Sequence, residues 1–306
     1  MRIPRPVVAT AALAAASALL LTACGGASGS SNAVVLPDDG STQSPSGIVK
    51  VDSIAALLPR KIASSGTLVV GTDTTYAPAE YLDGDGITPV GYDVDLAKAI
   101  AVVLGLTADV RTADFSSIIP AVGSTYDVGI SSFTINAERV AQVNMVQYLE
   151  AGEAFAVKKG NPEGISRDDL CGVTVAVQAG TIQEEELGTL TEECESAGKK
   201  SIRRLSFGTQ TEANDALVDG KADMTYADSP IITYAVQMSR QLEVLGEAFA
   251  TAPQGIVVSK DDQALTTAIQ KAVQELIDSG AYGRILTSWL VSASQVTTAE
   301  LNPSNS

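Results

Sequence analysis

Residues 131 to 139, SSFTINAER, place three hydroxyl side chains, Ser131, Ser132 and Thr134, within four positions and follow them with Asn136, Glu138 and Arg139. Such a set can do two kinds of work. Hydroxyl and amide oxygens can cap the start of a helix, leaving Arg139 on the surface beside an acid such as Glu138. The same donors can instead surround an anion, because a helix start and a guanidinium both favour negative charge. These residues alone leave both readings open.

Composition narrows the chemistry that surrounds them. The chain has no histidine and three cysteines, so a four-ligand zinc site is excluded, and no cofactor motif is present. Its net charge is −16, from 20 basic and 36 acidic residues. Without a basic patch to displace phosphate counterions, nucleic acid is not an expected partner. Strong negative charge favours solubility, and the chain is expected to be a monomer.

The first residues read as an export signal. Arg2 and Arg5 precede the apolar run VVATAALAAASALL, and LTAC closes it at Cys24. The run is short for a membrane span of about 20 residues. LTAC resembles the lipobox of bacterial lipoproteins, which implies a signal peptide over 1–23 and a lipid on Cys24. The lipid would hold the protein on the outer face of the cytoplasmic membrane. Cleavage removes Arg2 and Arg5 and no acid, leaving a net charge of −18. The Gly/Ser-rich segment that follows, within 24–59, reads as a flexible tether, and the last residues, 296–306, as a frayed tail. Outside the cytosol the remaining pair, Cys171 and Cys194, is expected to form a disulfide.

The elements that must position Arg139 alternate between strand and helix patterns. GTLVVGTD (66–73), ADVRTADF, YDVGISS (126–132), GVTVAVQAG (172–180) and KADMTYAD (221–228) read as strands. DLAKAIAVVLGL (95–106) reads as a helix with Asp95 as its N-cap and Gly105 as its stop. SSIIPAV gives a short helix, and 264–290 gives two helices broken at Gly280. This alternation predicts α/β layers with largely parallel sheets, and 306 residues favour two lobes over one core.

Several of these segments, in order, resemble the family 3 bacterial extracellular solute-binding proteins. The matching stretches are GTDTTYAPAEY, GYDVDLAKAIAVVL, DFSSIIPAV, DVGISSFTINAER, VAVQAGT and GKADMTYADSP. The resemblance implies a type II periplasmic binding protein-like fold, with a ligand cleft between two lobes joined by a two-crossing hinge. Lobe one would take 60–150 and 249–295, and lobe two 151–248. The expected function is capture of a free amino acid and its delivery to the membrane permease of an ABC importer.

The resemblance also implies roles. Arg139 matches the carboxylate-binding arginine, with Ser132 and Thr134 beside it. Asp228, otherwise suited to a helix start before Pro230, matches the ammonium-binding acid. Asp73, otherwise an Asx-turn residue, matches an acid that faces the ligand. Tyr76 and Phe115 match aromatic walls, although such residues are more often core. Gly180 and Thr181 resemble a second-lobe turn facing the carboxylate, where Ile182 replaces a further threonine of the histidine-binding pattern. Asp93 and Asp95 are read as helix-capping rather than ligand-binding. With Asp73 and Glu80 beside two aromatic faces, a basic side chain is favoured over an apolar or acidic one. The rival reading is a cyclohexadienyl dehydratase-like enzyme on the same fold, with Glu80 or Asp73 as its acid or base.

Overall fold

The computed structural model describes residues 47–304; Cys24, its signal and most of the tether lie outside them. Two short helices, α1 (Asp52–Ala55) and α2 (Arg60–Ser65), lead into strand β1 (Thr67–Thr72). A small antiparallel sheet follows, made of β2 (Thr75–Tyr76), β3 (Glu80–Leu82) and β4 (Pro89–Val90). Then come α3 (Tyr92–Leu104), β5 (Thr107–Thr112), α4 (Phe115–Ala121), β6 (Val128–Gly129), α5 (Ala137–Gln142) and the long β7 (Val143–Lys158). The next stretch holds β8 (Thr174–Gln178), α6 (Ile182–Ser196), β9 (Arg203–Phe207), α7 (Gln210–Val218), β10 (Met224–Asp228), α8 (Ser229–Ser239) and β11 (Leu242–Val244). The chain returns through β12 (Phe249–Ser259) and ends in α9 (Gln263–Asp278) and α10 (Ala281–Ser288).

The main sheet runs β5-β1-β6-β12-β7-β10-β8-β9, with β11 paired to β7. Its two ends are parallel: β1 pairs β5 and β6, and β8 pairs β9 and β10. Between them β12 and β7 run antiparallel. β7 pairs β12 from Val143 to Glu153 and β10 from Glu153 to Val157, so one strand serves both halves. This is a two-lobe α/β fold. The β7–β12 ladder is irregular between Phe249 and Ala252 and again between Gln254 and Gly255. Bulges of this kind bend a strand pair where it passes from one layer to another.

Burial explains the elements. Most of α3 is buried, because it lies against β5 on one side and α9 and α10 on another. A helix apolar over most of its circumference suits such a place. Its start needs glycine: Gly91 has φ +128, and a Cβ there would fall 2.0 Å from the Ala79 carbonyl oxygen. Gly105 closes the helix in the left-handed region, as expected. Gly280 likewise separates α9 from α10 with φ +71. The single tryptophan, Trp289, follows α10; its Nε1 donates to Asp95 at 2.9 Å and its ring stands edge-on to Tyr81, which also neighbours Tyr234 of α8.

Three expectations are corrected. The helix starts at Tyr92, so Asp95 is not its N-cap, and neither Asp93 nor Asp95 makes a capping bond. Both lie in the first turn and reach outward instead, Asp95 to Trp289 and Asp93 to Ser132 and Tyr148. The strand expected over 126–132 is only Val128–Gly129, because the chain leaves the sheet to present Ser131 and Ser132. The chain's end is docked as far as Asn302: Asn302 N donates to Met145 O, Gln147 N donates to Glu300 O, and Ala299 is buried.

Cys171 and Cys194 are joined, 23 residues apart, beside the second half's own core of Phe155, Leu170, Leu187 and Tyr226. No helix among the described residues is long and apolar enough to cross a membrane. In the loop-closure account a bridge of this span stabilises by about 3 kcal/mol. The Cys171→Ser/Cys194→Ser protein should therefore unfold at lower denaturant, with the loss near that size. An unchanged midpoint in urea would show that the bridge adds nothing.

Candidate functional site

Ser131, Ser132, Thr134 and Arg139 converge on one nearly filled cavity of about 10 Å³ between the halves of the sheet. Arg139 is the third residue of α5. Asn136 caps that helix through Oδ1, which accepts from Arg139 N at 2.8 Å. The cap is therefore the asparagine, and the hydroxyls before it are free for other work. The Arg139 side chain is buried; Nη1 donates to Thr134 O at 2.9 Å and Nη2 to Gly180 O at 3.2 Å. Its guanidinium carbon lies 5.7 Å from the ring centre of Phe115 and 5.8 Å from that of Phe133, which stack on each other. Among the described residues it makes no salt bridge. Burial lowers its pKa from the ordinary value, against the attraction of Glu185, Asp228 and Glu138.

Asp228 faces the same cavity from the end of β10. It occupies the N-cap position of α8 yet makes no capping bond. Its carboxylate turns to Gln183, which donates to Oδ1 at 2.9 Å, and to Gln254, which donates to Oδ2 at 2.7 Å. Its own amide donates to the Tyr76 hydroxyl at 3.2 Å. Burial raises its pKa to about 6, although these donors and Arg139 favour the anion.

Asp73 is the most heavily used acid. Oδ1 accepts from Thr75 N and Oγ1, which is the Asx-turn arrangement. Oδ2 accepts from Phe115 N at 3.2 Å and from Gln178 Nε2 at 2.6 Å. Burial nevertheless raises its pKa. Ser132 and Thr134 line the cavity, Ser132 in the left-handed region at φ +49 with Asp93 accepting from its amide and hydroxyl. Tyr76 and Phe115 line it too. Thr181 is at its edge, but its hydroxyl is the N-cap of α6 and also donates to Gln178 O. Gly180 meets Arg139 through its carbonyl and does not line the cavity itself.

Glu80 is the exception. It is fully buried and outside the cavity lining, with Oε1 accepting from Ser131 Oγ at 2.9 Å. It therefore offers no charge to a ligand's side chain. Ser131 and Ile182 also line the cavity, as do Gln178 and Gln183, which were not foreseen. Two of them are glutamines whose function is to orient acids, a role without a sequence pattern. A larger concavity of about 560 Å³ opens beside the disulfide; its cations Arg167 and Lys199 stand among the acids Asp168, Asp169, Glu186 and Glu193, and none of the expected ligand-binding residues lines it.

Comparison with known proteins follows the same line. The model of the bacterial extracellular solute-binding proteins, family 3, matches residues 68–292. The chain belongs to this family. As a family 3 solute-binding protein it acts outside the cytoplasm. It is 37% identical to the arginine-binding protein ArgT of Corynebacterium glutamicum, over 78% of this chain and 79% of the relative. Among solved structures, an ancestral arginine-binding protein bound to arginine matches with TM-score 0.68 and 37% identity, over 73% of this chain and 98% of the other. An ancestral amino acid-binding protein described as a precursor of cyclohexadienyl dehydratase matches with TM-score 0.68 and 31% identity, over 75% and 97%.

Direct contacts already cross the cleft: Gln178 to Asp73, Arg139 to Gly180, and Thr211 to Thr75. A hydrogen bond to a buried charge contributes about 1.5–3 kcal/mol. Gln178→Leu should therefore shift the ligand-free solute-binding protein about tenfold toward open forms. Small-angle scattering would show this as a larger radius of gyration; an unchanged radius would show that the contact does not hold the halves together.

Proposed function

We propose that this solute-binding protein captures a free amino acid and presents it to the permease of an ABC importer. The observation that carries the reading is a buried guanidinium without an ion pair, facing a cavity whose opposite wall is a buried carboxylate. Arg139 and Asp228 feel each other's charge but make no salt bridge. A zwitterion satisfies both: its carboxylate takes Arg139 with Ser132 and Thr134, and its ammonium takes Asp228. Because the two charged groups come from opposite halves, such a ligand stabilises the closed form through contacts that the open form lacks. The halves would close about the β7–β12 crossing, with lobe one at 60–150 and 249–295 and lobe two at 151–248.

A basic side chain is favoured, arginine first. Asp73 remains as the acid beside the Tyr76 and Phe115 rings, and a cation can both pair and stack there. The arginine-binding protein of Corynebacterium glutamicum and the ancestral arginine-binding protein, both 37% identical to this chain, support this choice. Since Glu80 faces away, the preference rests on Asp73, whose donor Gln178 must yield to a ligand guanidinium. We further propose that Cys24 carries a lipid and that the protein works as an anchored monomer. A catalytic reading has less support, because Asp73 and Glu80 are both held by hydrogen bonds within the fold.

Titration calorimetry with arginine, lysine, glutamine, glutamate and leucine tests the ranking, and tightest binding to leucine or glutamate would refute it. Arg139→Ala leaves a ligand carboxylate buried without its partner, a loss of roughly 2–5 kcal/mol, so affinity should fall about 30-fold or more. Near-wild-type affinity in a folded variant would reject the site. The pH dependence follows from Asp228. Its pKa is raised to about 6, so it is ionised above that value and neutral below it. Arginine affinity should weaken as pH falls from 7.5 to 5, and Asp228→Asn should bind weakly at both. Cys24→Ala should release the protein from membranes, and retained membrane association would exclude the lipid as the anchor.

A further inference from the structure

Behind the serine loop lies a pair of acids that ligand contact does not explain. Glu80 of β3 accepts from Ser131 Oγ at 2.9 Å, and Ser131 Oγ in turn accepts from Asp73 N at 3.0 Å. Asp93 Oδ2 accepts from Ser132 N at 2.9 Å, from Ser132 Oγ at 3.4 Å and from Tyr148 OH at 2.6 Å. The remaining oxygens, Glu80 Oε2 and Asp93 Oδ1, are buried, and among the described residues no other donor meets them. The two carboxyl groups lie close enough for each to feel the other, and the two orphaned oxygens belong to this one buried pair. Two carboxylates are acceptors only, so an orphaned oxygen gains a partner within the pair only if one carboxyl keeps its proton. Three donors stabilise the Asp93 anion and only one faces Glu80, which puts the proton on Glu80.

We propose that Glu80 is a positioning residue of the cleft: as a neutral acid it donates to Asp93, and the pair fixes Ser131 and Ser132 in the conformation that faces the ligand. Ser132 needs such a hold. Its φ of +49 is uncommon for a residue other than glycine and persists only where surrounding bonds impose it. The environment agrees. Burial, Asp93 and Asp73 raise the Glu80 pKa well above the ordinary carboxylate value, and Asp93 is raised to about 6. The other titratable groups packed against the pair are Tyr92 and Tyr148, both held neutral by burial and by these acids. The sign follows. A carboxyl whose pKa is raised on folding contributes stability below its unfolded value near 4.5, and loses it as pH rises through the folded value.

The ligand arm of the test rests on the amino-acid reading of the cleft; the stability arm does not. Glu80→Gln keeps an oxygen for Ser131 and places an amide N–H against Asp93. It should bind L-arginine within about threefold of wild type, whereas Glu80→Leu, which strands Asp93 and Ser131, should bind about tenfold more weakly or worse. In the ligand-free protein, the melting temperature of wild type should fall more steeply between pH 6 and 9 than that of Glu80→Gln. The difference between the two curves isolates Glu80 from Glu153 and Asp228, which titrate in both proteins. If Glu80→Leu does not fold, Asp93→Asn replaces it, since its amide can donate to an ionised Glu80; it should retain binding and lose the excess pH slope. Parallel pH curves for wild type and Glu80→Gln, or a Gln variant as impaired as the Leu variant, would overturn the proposal. Failure of wild type to bind L-arginine would count against the ligand reading alone, and the ligand-free pH comparison would still decide the shared proton.

Discussion

A cation buried without a counterion is the constraint around which the rest is arranged. Taking a guanidinium out of water is costly unless its donors are met, and in this protein they are met by neutral groups only. Thr134 O satisfies Nη1 from the same half of the sheet and Gly180 O satisfies Nη2 from the other. The stacked Phe115 and Phe133 rings add the attraction of their faces. The side chain is thereby held in place before any anion arrives, which lowers the ordering cost of binding one. The same arrangement explains why α5 is only six residues long and capped by Asn136. It need only fix the Arg139 backbone.

The acids are sorted by what surrounds them rather than by their type. Asp228 stays available because its partners are glutamine amides, which orient it without neutralising it. Asp93 spends its charge on Ser132 and Tyr148, and Glu80 supports that arrangement from behind. Asp95 is tied to Trp289. Four acids within one region thus serve four purposes, and the hydrogen-bond partners, not the spacing, distinguish them.

Legibility in the sequence follows from this. Strands β1, β8 and β10, helix α3 and the break at Gly280 were readable because each shows an apolar run or a glycine stop. The convergence of Arg139, Asp228, Asp73, Tyr76, Phe115, Ser132 and Thr134 was readable through ordered motifs. β7 was not, since a sixteen-residue strand buried on nearly every residue shows no alternation to betray it. Nor were Gln178 and Gln183, because an amide that aims an acid has no pattern of its own. The Asp95 cap failed for a related reason: Gly91, required by the close approach of Ala79, moves the helix start upstream of both aspartates. Glu80 failed because its place in AEYLDGDG is compatible with either face of a short strand, and only burial against Ser131 selects the inner one.

The lone indole gives the molecule an optical property of its own. Trp289 is tethered to Asp95, and Tyr81 lies between its ring and that of Tyr234, with ring centres about 6 Å from each neighbour. Tyr81 belongs to the small sheet beside α3, whereas Tyr234 rides on α8, packed on β10 and β11. Light absorbed by Tyr234 therefore passes to the single indole with an efficiency that falls as these two elements separate. Indole emission excited through tyrosine thus changes with the distance between these elements, and with one tryptophan among eight tyrosines the acceptor is a single site.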